Sequence, residues 1–127
     1  IAVYRTSNTN FYTYRSSDLT VESTNINSTG TPVPADFDGD GKANYAVRNG
    51  ADWVIMNAAG TSTTTTAWQQ SGDTAVHNDY DGDGKVDIAV WRDSNGNWYI
   101  RKSSDLSTRT EQWGVSGDIP VPAFYRR

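Results

Sequence analysis

Two short acidic stretches carry the chemistry of this sequence: "DFDGDGKANYAVRN" from Asp36 and "DYDGDGKVDIAVWR" from Asp79. In each, aspartates stand at alternate positions, and the glycines between them let the chain wrap tightly. Calcium takes about six to eight oxygen ligands, drawn from carboxylates and backbone carbonyls. The second stretch offers Asp79, Asp81 and Asp83 at positions 1, 3 and 5, the Lys85 carbonyl at 7 and Asp87 at 9. The first offers Asp36, Asp38, Asp40, the Lys42 carbonyl and Asn44. The expectation is two Ca2+ sites, the first weaker because an amide stands where the second has a carboxylate. An EF-hand would need a bidentate Glu at position 12 and a helix on each side. Position 12 is Val47 or Val90, and β-favouring "IAVW" follows where a helix would start. The dockerin pattern fails for the same reason. Ion-free Asp/Gly turns are the alternative, opposed by the mutual repulsion of carboxylates held this close. The expected role of the ion is to stiffen a loop, not to catalyse.

Charge and composition set the frame for these loops. Of fifteen acidic residues, seven lie in the two stretches, and the formal net charge is −4. That balance opposes a general phosphate-binding surface, so no nucleic-acid partner is expected. Two divalent cations would cancel it, so a metal-free chain should hold self-repelling loops. Cysteine is absent, which removes disulfides and thiolate metal sites. No apolar run reaches membrane-spanning length, and membrane insertion is not expected. The start at Ile1 reads as a mature or excised piece.

The two acidic stretches recur at a period of 43 residues, Asp36 to Asp79. The match runs on: "DWVIMN" (52–57) answers "NWYIRK" (97–102), "AWQQSGD" (67–73) answers "QWGVSGD" (112–118), and "PVPAD" (32–36) answers "PVPAF" (120–124). A third copy opens the chain, where "IAVYRTSNTNFYTYRSSDL" (1–19) overlays "IAVWRDSNGNWYIRKSSDL" (88–106) at an offset of 87. Ile26, Trp68 and Trp113 each stand four residues before a glycine, Gly30, Gly72 and Gly117. The repeats fall at about 1–35, 36–78 and 79–127. Each holds short β-like runs, such as Pro32–Phe37, Ile88–Arg92 and Trp98–Lys102, joined by "NG", "DG" or "SG" turns. The expected fold class is all-β, about three four-stranded β-propeller blades. A sandwich is the alternative, and it does not explain why loop, strand and Trp recur in one order.

The pattern "PVPADFDGDGKANYAV", with "DGDGKVDIAVWR" and a Trp/Gly ending, resembles the FG-GAP/VCBS-type repeats of integrin-like β-propellers, over essentially all 127 residues. The resemblance implies an extracellular propeller of several blades with calcium in the hairpin between the first two strands of each. Location outside the cell also follows from calcium, which is abundant there.

Aromatic residues supply the other candidates. Phe11, Trp53 and Trp98 are repeat mates, as are Ile26, Trp68 and Trp113, and both sets are expected to pack between blades. Tyr4, Arg48 and Trp91 share a position whose residue type varies, which points to partial exposure and to ligand contact at Tyr4 or Trp91. His77, with Pro34 and Pro122 as mates, has neither the partners of a catalytic triad nor those of a zinc site. The loop aspartates are committed to metal, so glycosidase chemistry and enzyme function are not expected. "TSTTTT" (61–66) reads as a polar edge and "NST" at Asn27 as a glycosylation sequon.

The repeats are cut out of phase. The first lacks an opening strand and acidic loop, and the chain ends with a spare opening strand, Pro120–Arg126. An open sheet edge invites pairing. The expected partner is a second copy, each spare strand pairing with Ile1–Arg5 of the other to make a six-bladed ring; a larger ring or filament is the alternative. The leading functional expectation is a calcium-stabilised, carbohydrate-binding module, on aromatic content and on resemblance to propeller lectins. A self-assembling structural or adhesion subunit is the second.

Overall fold

The computed structural model describes residues 1–122. Among them there is no helix, and the strands form three antiparallel sheets. The first sheet holds β1 (Ala2–Arg5), β2 (Asn10–Tyr14) and β3 (Val21–Asn25) in sequence order. The second holds β4 (Thr31–Pro32), β5 (Ala46–Asn49), β6 (Asp52–Met56) and β7 (Thr63–Ala67). The third repeats that order with β8 (Thr74–Ala75), β9 (Ile88–Arg92), β10 (Asn97–Arg101) and β11 (Thr108–Gln112). No closed barrel forms among the described residues.

The inner strands β4 and β8 span two residues each, shorter than the Pro32–Phe37 run expected from sequence. Proline has no N–H to give a ladder, so pairing at β4 breaks up around Pro32 and Pro34. It resumes residue by residue: the Val33 N–H donates to the Ala46 carbonyl at 2.9 Å, and Ala35 bridges Asn44. The third sheet copies this with Val76 on Ala89, also 2.9 Å, and an Asn78–Asp87 bridge. Each acidic loop is therefore pinched at its neck by the backbone pair that precedes β5 or β9.

Strand alternation builds two cores. On the second sheet, Val47, Val54 and Met56 point to one face and pack with Phe11 and Ile26 of the first repeat. Ala46, Trp53 and Ile55 point to the other and pack with Val33, Ile88, Val90 and Tyr99. The second sheet thus lies between the first and third, covered on both faces. Three stacked sheets in sequence order are not a two-sheet sandwich. A third cluster, Val76, Ala89, Trp91 and Ile100, lies on the far face of the third sheet, with Tyr80 and Trp98 against it. Of the aromatic sets expected in the core, Phe11, Trp53 and Ile26 are buried. Trp113 is not, because no described sheet lies over it. The spare strand expected at Pro120–Arg126 lies partly outside the described residues, and residues 118–122 belong to no strand.

Candidate metal centres

Both acidic loops close on themselves through their own aspartates. Asp36 accepts the N–H groups of Gly39 and Gly41 at 2.6 and 2.9 Å, and Asp79 accepts those of Gly82 and Gly84 at 2.6 and 3.1 Å. Gly39 and Gly82 hold φ of 80° and 78°, a left-handed conformation that a side chain strains. This wrapping brings carboxylates together. Ligand oxygens of Asp36, Asp38 and Asp40 lie within 4.8 Å of one another, as do those of Asp79, Asp81 and Asp87. Lys42 and Lys85 follow on the loop, their N–H groups bound to Asp40 and Asp83 at 2.8 Å.

The two loops differ where the sequence differs. Asp87 is fully buried, receives N–H groups from Tyr80 at 2.9 Å and Ser103 at 2.7 Å, and faces Asp81. Burial, reinforced by Asp81, pushes its carboxyl above the ordinary range despite those donors. Beside it the Tyr80 phenol is pushed up to about 12 by burial and by the Asp87 charge. Asn44, the mate of Asp87, uses its amide oxygen on the Phe37 N–H at 2.8 Å and its amide nitrogen on Asp38 at 2.9 Å. It spends its polarity holding the first loop together. Asp83 stands outside the convergent trio of its loop and accepts a hydrogen bond from Ser103 Oγ at 2.9 Å. Among the described residues none of these seven carboxylates makes an ion pair.

Ser103 and Ser104 were not singled out by sequence reasoning. Ser104 Oγ donates to Asp81 at 2.6 Å, so the β10–β11 turn braces the second loop from outside, orienting its carboxylates. Their mates beside the first loop are Ala58 and Ala59, which have no hydroxyl to give. The signal was present as that Ser/Ala difference, but its meaning depends on the turn folding back over the loop. The loops also touch each other. The Val86 N–H donates to the Asp36 carbonyl at 2.8 Å, and the Lys85 stem lies against Gly39.

The expected ligand contacts at Tyr4 and Trp91 have a different setting. Trp91 is 2% exposed, which corrects the expectation of a partly exposed position. Its indole N–H donates to the Trp113 carbonyl at 3.3 Å. The Tyr4 hydroxyl donates to the Ser28 carbonyl at 2.6 Å, and Arg48 donates to the carbonyls of Gln70, at 2.9 Å, and Asp73. Three residue types do one job, tying the second strand of a four-strand repeat to the connection that leaves it. Residue type varies there because any donor of sufficient reach suffices.

Two further features border the sites. His77 packs between Phe37 and Trp53, and burial holds its imidazole below the ordinary histidine range. An open cleft of about 370 Å³ between the second and third sheets is lined by Thr31, Arg48, Ser71 and Thr74. Comparison with family models, with curated proteins and with solved structures gave no match.

Proposed function

We propose that this chain is part of a calcium-stabilised β-propeller that works outside the cell as a carbohydrate-binding module. The observation that carries the metal is the fully buried Asp87 beside Asp79 and Asp81, with no ion-pair partner among the described residues. A buried carboxylate without a counter-charge is costly, and an all-oxygen donor set suits a hard cation such as Ca2+. Asp79, Asp81, Asp83, the Lys85 carbonyl and Asp87 would hold one ion. Asp36, Asp38, Asp40, the Lys42 carbonyl and Asn44 would hold a second, more weakly. The ion supplies charge neutralisation, and the loops use it to lock each inner strand to its neighbour.

The carbohydrate reading rests on aromatic content, on the repeat resemblance, and on the inter-sheet cleft, where three hydroxyls and Arg48 suit a polyol. A glycan array probed in calcium and in chelator tests both parts. Binding in calcium that is lost in chelator is the expected result. A blank array overturns the carbohydrate reading, and a melting temperature indifferent to calcium overturns the metal. The exposure of Trp113, whose mate Trp68 bonds the third sheet through Tyr99, favours self-assembly as a compatible second reading.

A further inference from the structure

The second and third repeats build the same connection and finish it differently. In the third, "SGD" at 116–118 is capped from the preceding hairpin: Asp93 accepts the Gly117 N–H and the Ser116 hydroxyl, each at 2.7 Å. Those two donors hold the Asp93 carboxyl below the ordinary range. In the second, "SGD" at 71–73 offers the same pair, the Gly72 N–H and the Ser71 hydroxyl. Gly72 and Gly117 share a φ of 93°, so the two connections turn alike. Yet neither donor of the second pair has a partner among the described residues. The β9–β10 turn that carries Asp93 has four residues, 93–96, whereas the β5–β6 turn has two, Gly50 and Ala51, and no acid. Ser71 and Gly72 instead line the open cleft of about 370 Å³ between the second and third sheets.

Charge differs between the repeats in the complementary sense. Trp91 ties the third repeat to its connection with a neutral indole N–H, and Tyr4 ties the first with a neutral hydroxyl. Arg48 does that job in the second with a guanidinium, donating to the carbonyls of Gln70 and Asp73. The tie needs a donor but no charge, so the charge of Arg48 is surplus to it. Of the residues lining the cleft only Arg48 and Asp73 are charged, and Asp73 already has both carboxylate oxygens on Arg92. Arg48 makes no ion pair among the described residues. Burial lowers its guanidinium from the ordinary range, and the Asp73 charge opposes that shift without cancelling it. The third repeat has an internal carboxylate and a neutral tie; the second has a cationic tie and no such carboxylate.

We propose that this cleft binds the carboxylate of a uronic acid, which takes the place against Ser71 and Gly72 that Asp93 takes against Ser116 and Gly117. The inference rests on the carbohydrate reading and names the class of sugar for that cleft. The Gly72 N–H and the Ser71 hydroxyl donate to the carboxylate, as their mates do to Asp93. Arg48 supplies the opposing charge, and hydrogen bonds to an ionised group are the strong ones. The Thr31 and Thr74 hydroxyls, which have no partner among the described residues, remain for the ring hydroxyls. A neutral sugar would satisfy the hydroxyls and leave Arg48 without a counter-charge.

Calorimetry on the calcium-loaded chain tests this with short oligomers of galacturonate, glucuronate and mannuronate, each as the free acid and as its neutral methyl ester. At least one acid is expected to bind, and its ester to bind about tenfold more weakly or worse. Arg48→Gln, which removes the charge and keeps an amide donor, and Ser71→Ala should each weaken the acid by about tenfold. Ser71 is exposed and its hydroxyl holds nothing else in the fold, so Ser71→Ala remains informative even where Arg48→Gln does not fold. Grafting the turn 93–96 in place of Gly50 and Ala51 brings an internal aspartate to Ser71 and Gly72 and should abolish binding of the acid. Acid and ester bound equally would overturn the carboxylate site and leave the carbohydrate reading standing. Acid binding that survives both Ser71→Ala and the graft would place the ligand elsewhere and overturn the site. A chain that binds no saccharide in either form overturns both readings, and capture of an aspartate-containing peptide in that case assigns the cleft to a protein carboxylate.

Discussion

Arg92 grips Asp73 through both carboxylate oxygens, at 2.9 and 2.8 Å, and so fastens the third sheet to the connection leaving the second. Asp73 is 3% exposed at its side chain and Arg92 18%, so the pair is largely out of water. Burial by itself would raise the Asp73 carboxyl, but the Arg92 hydrogen bonds, the Gln70 N–H and the charges of Arg92 and Arg48 outweigh it and hold it low. A carboxyl lowered on folding adds stability above its ordinary value of 3.8, and that stability is lost as pH falls through the folded value. Asp73→Asn should cost on the order of 3 kcal/mol at neutral pH, because it leaves Arg92 unpaired. In urea melts the gap between variant and wild type should close below about pH 3.8, where the wild type loses the same charge. A gap constant with pH would show that the pair does not act through ionisation.

Trp53 and Trp113 test burial from opposite ends. Trp53 is fully buried between the second and third sheets, and Trp53→Ala should cost about 3–5 kcal/mol through lost contact and cavity. Trp113→Ala removes an exposed ring and should change chain stability by less than about 0.5 kcal/mol.

Calcium added to chelated protein should raise the melting temperature, since an ion that binds only the folded chain stabilises it. At about a hundredfold excess over Kd the gain per site is about 2.7 kcal/mol. Asp79→Asn should remove more of that rise than Asp36→Asn. The second loop has the Asp87 carboxylate and the hydroxyls of Ser103 and Ser104, where the first has Asn44 and two alanines. Calorimetry reporting equal affinities would contradict this ranking.

Tyr4→Phe deletes only the hydroxyl that donates to the Ser28 carbonyl. It should cost about 1 kcal/mol and leave the ring packed against Phe11. Glycan binding should be unchanged, because Tyr4 ties backbone to backbone. Loss of binding without loss of stability would make Tyr4 a ligand contact.

Much of the fold was legible in the residue order. The run Ile88–Arg92 is β9 to the residue, since β-branched and aromatic side chains favour a pleated strand. The Asp/Gly loops were legible too, because an aspartate capping the N–H groups three and five residues ahead is a local interaction. Ser103 and Ser104 were not. They reach the second loop from about twenty residues further along, and that contact exists only once β9 and β10 have paired.

The sequence by itself determined the repeat, the strands and the places where carboxylates gather. All three follow from the alternation and turn chemistry of neighbouring residues. Only the tertiary structure decided which repeat mates are buried. Val90 and Val3 have the same neighbours in sequence, "IAVW" and "IAVY", yet one is sealed beneath the second sheet and the other faces solvent. Burial belongs to the surface packed against a residue, and that surface comes from a distant part of the chain.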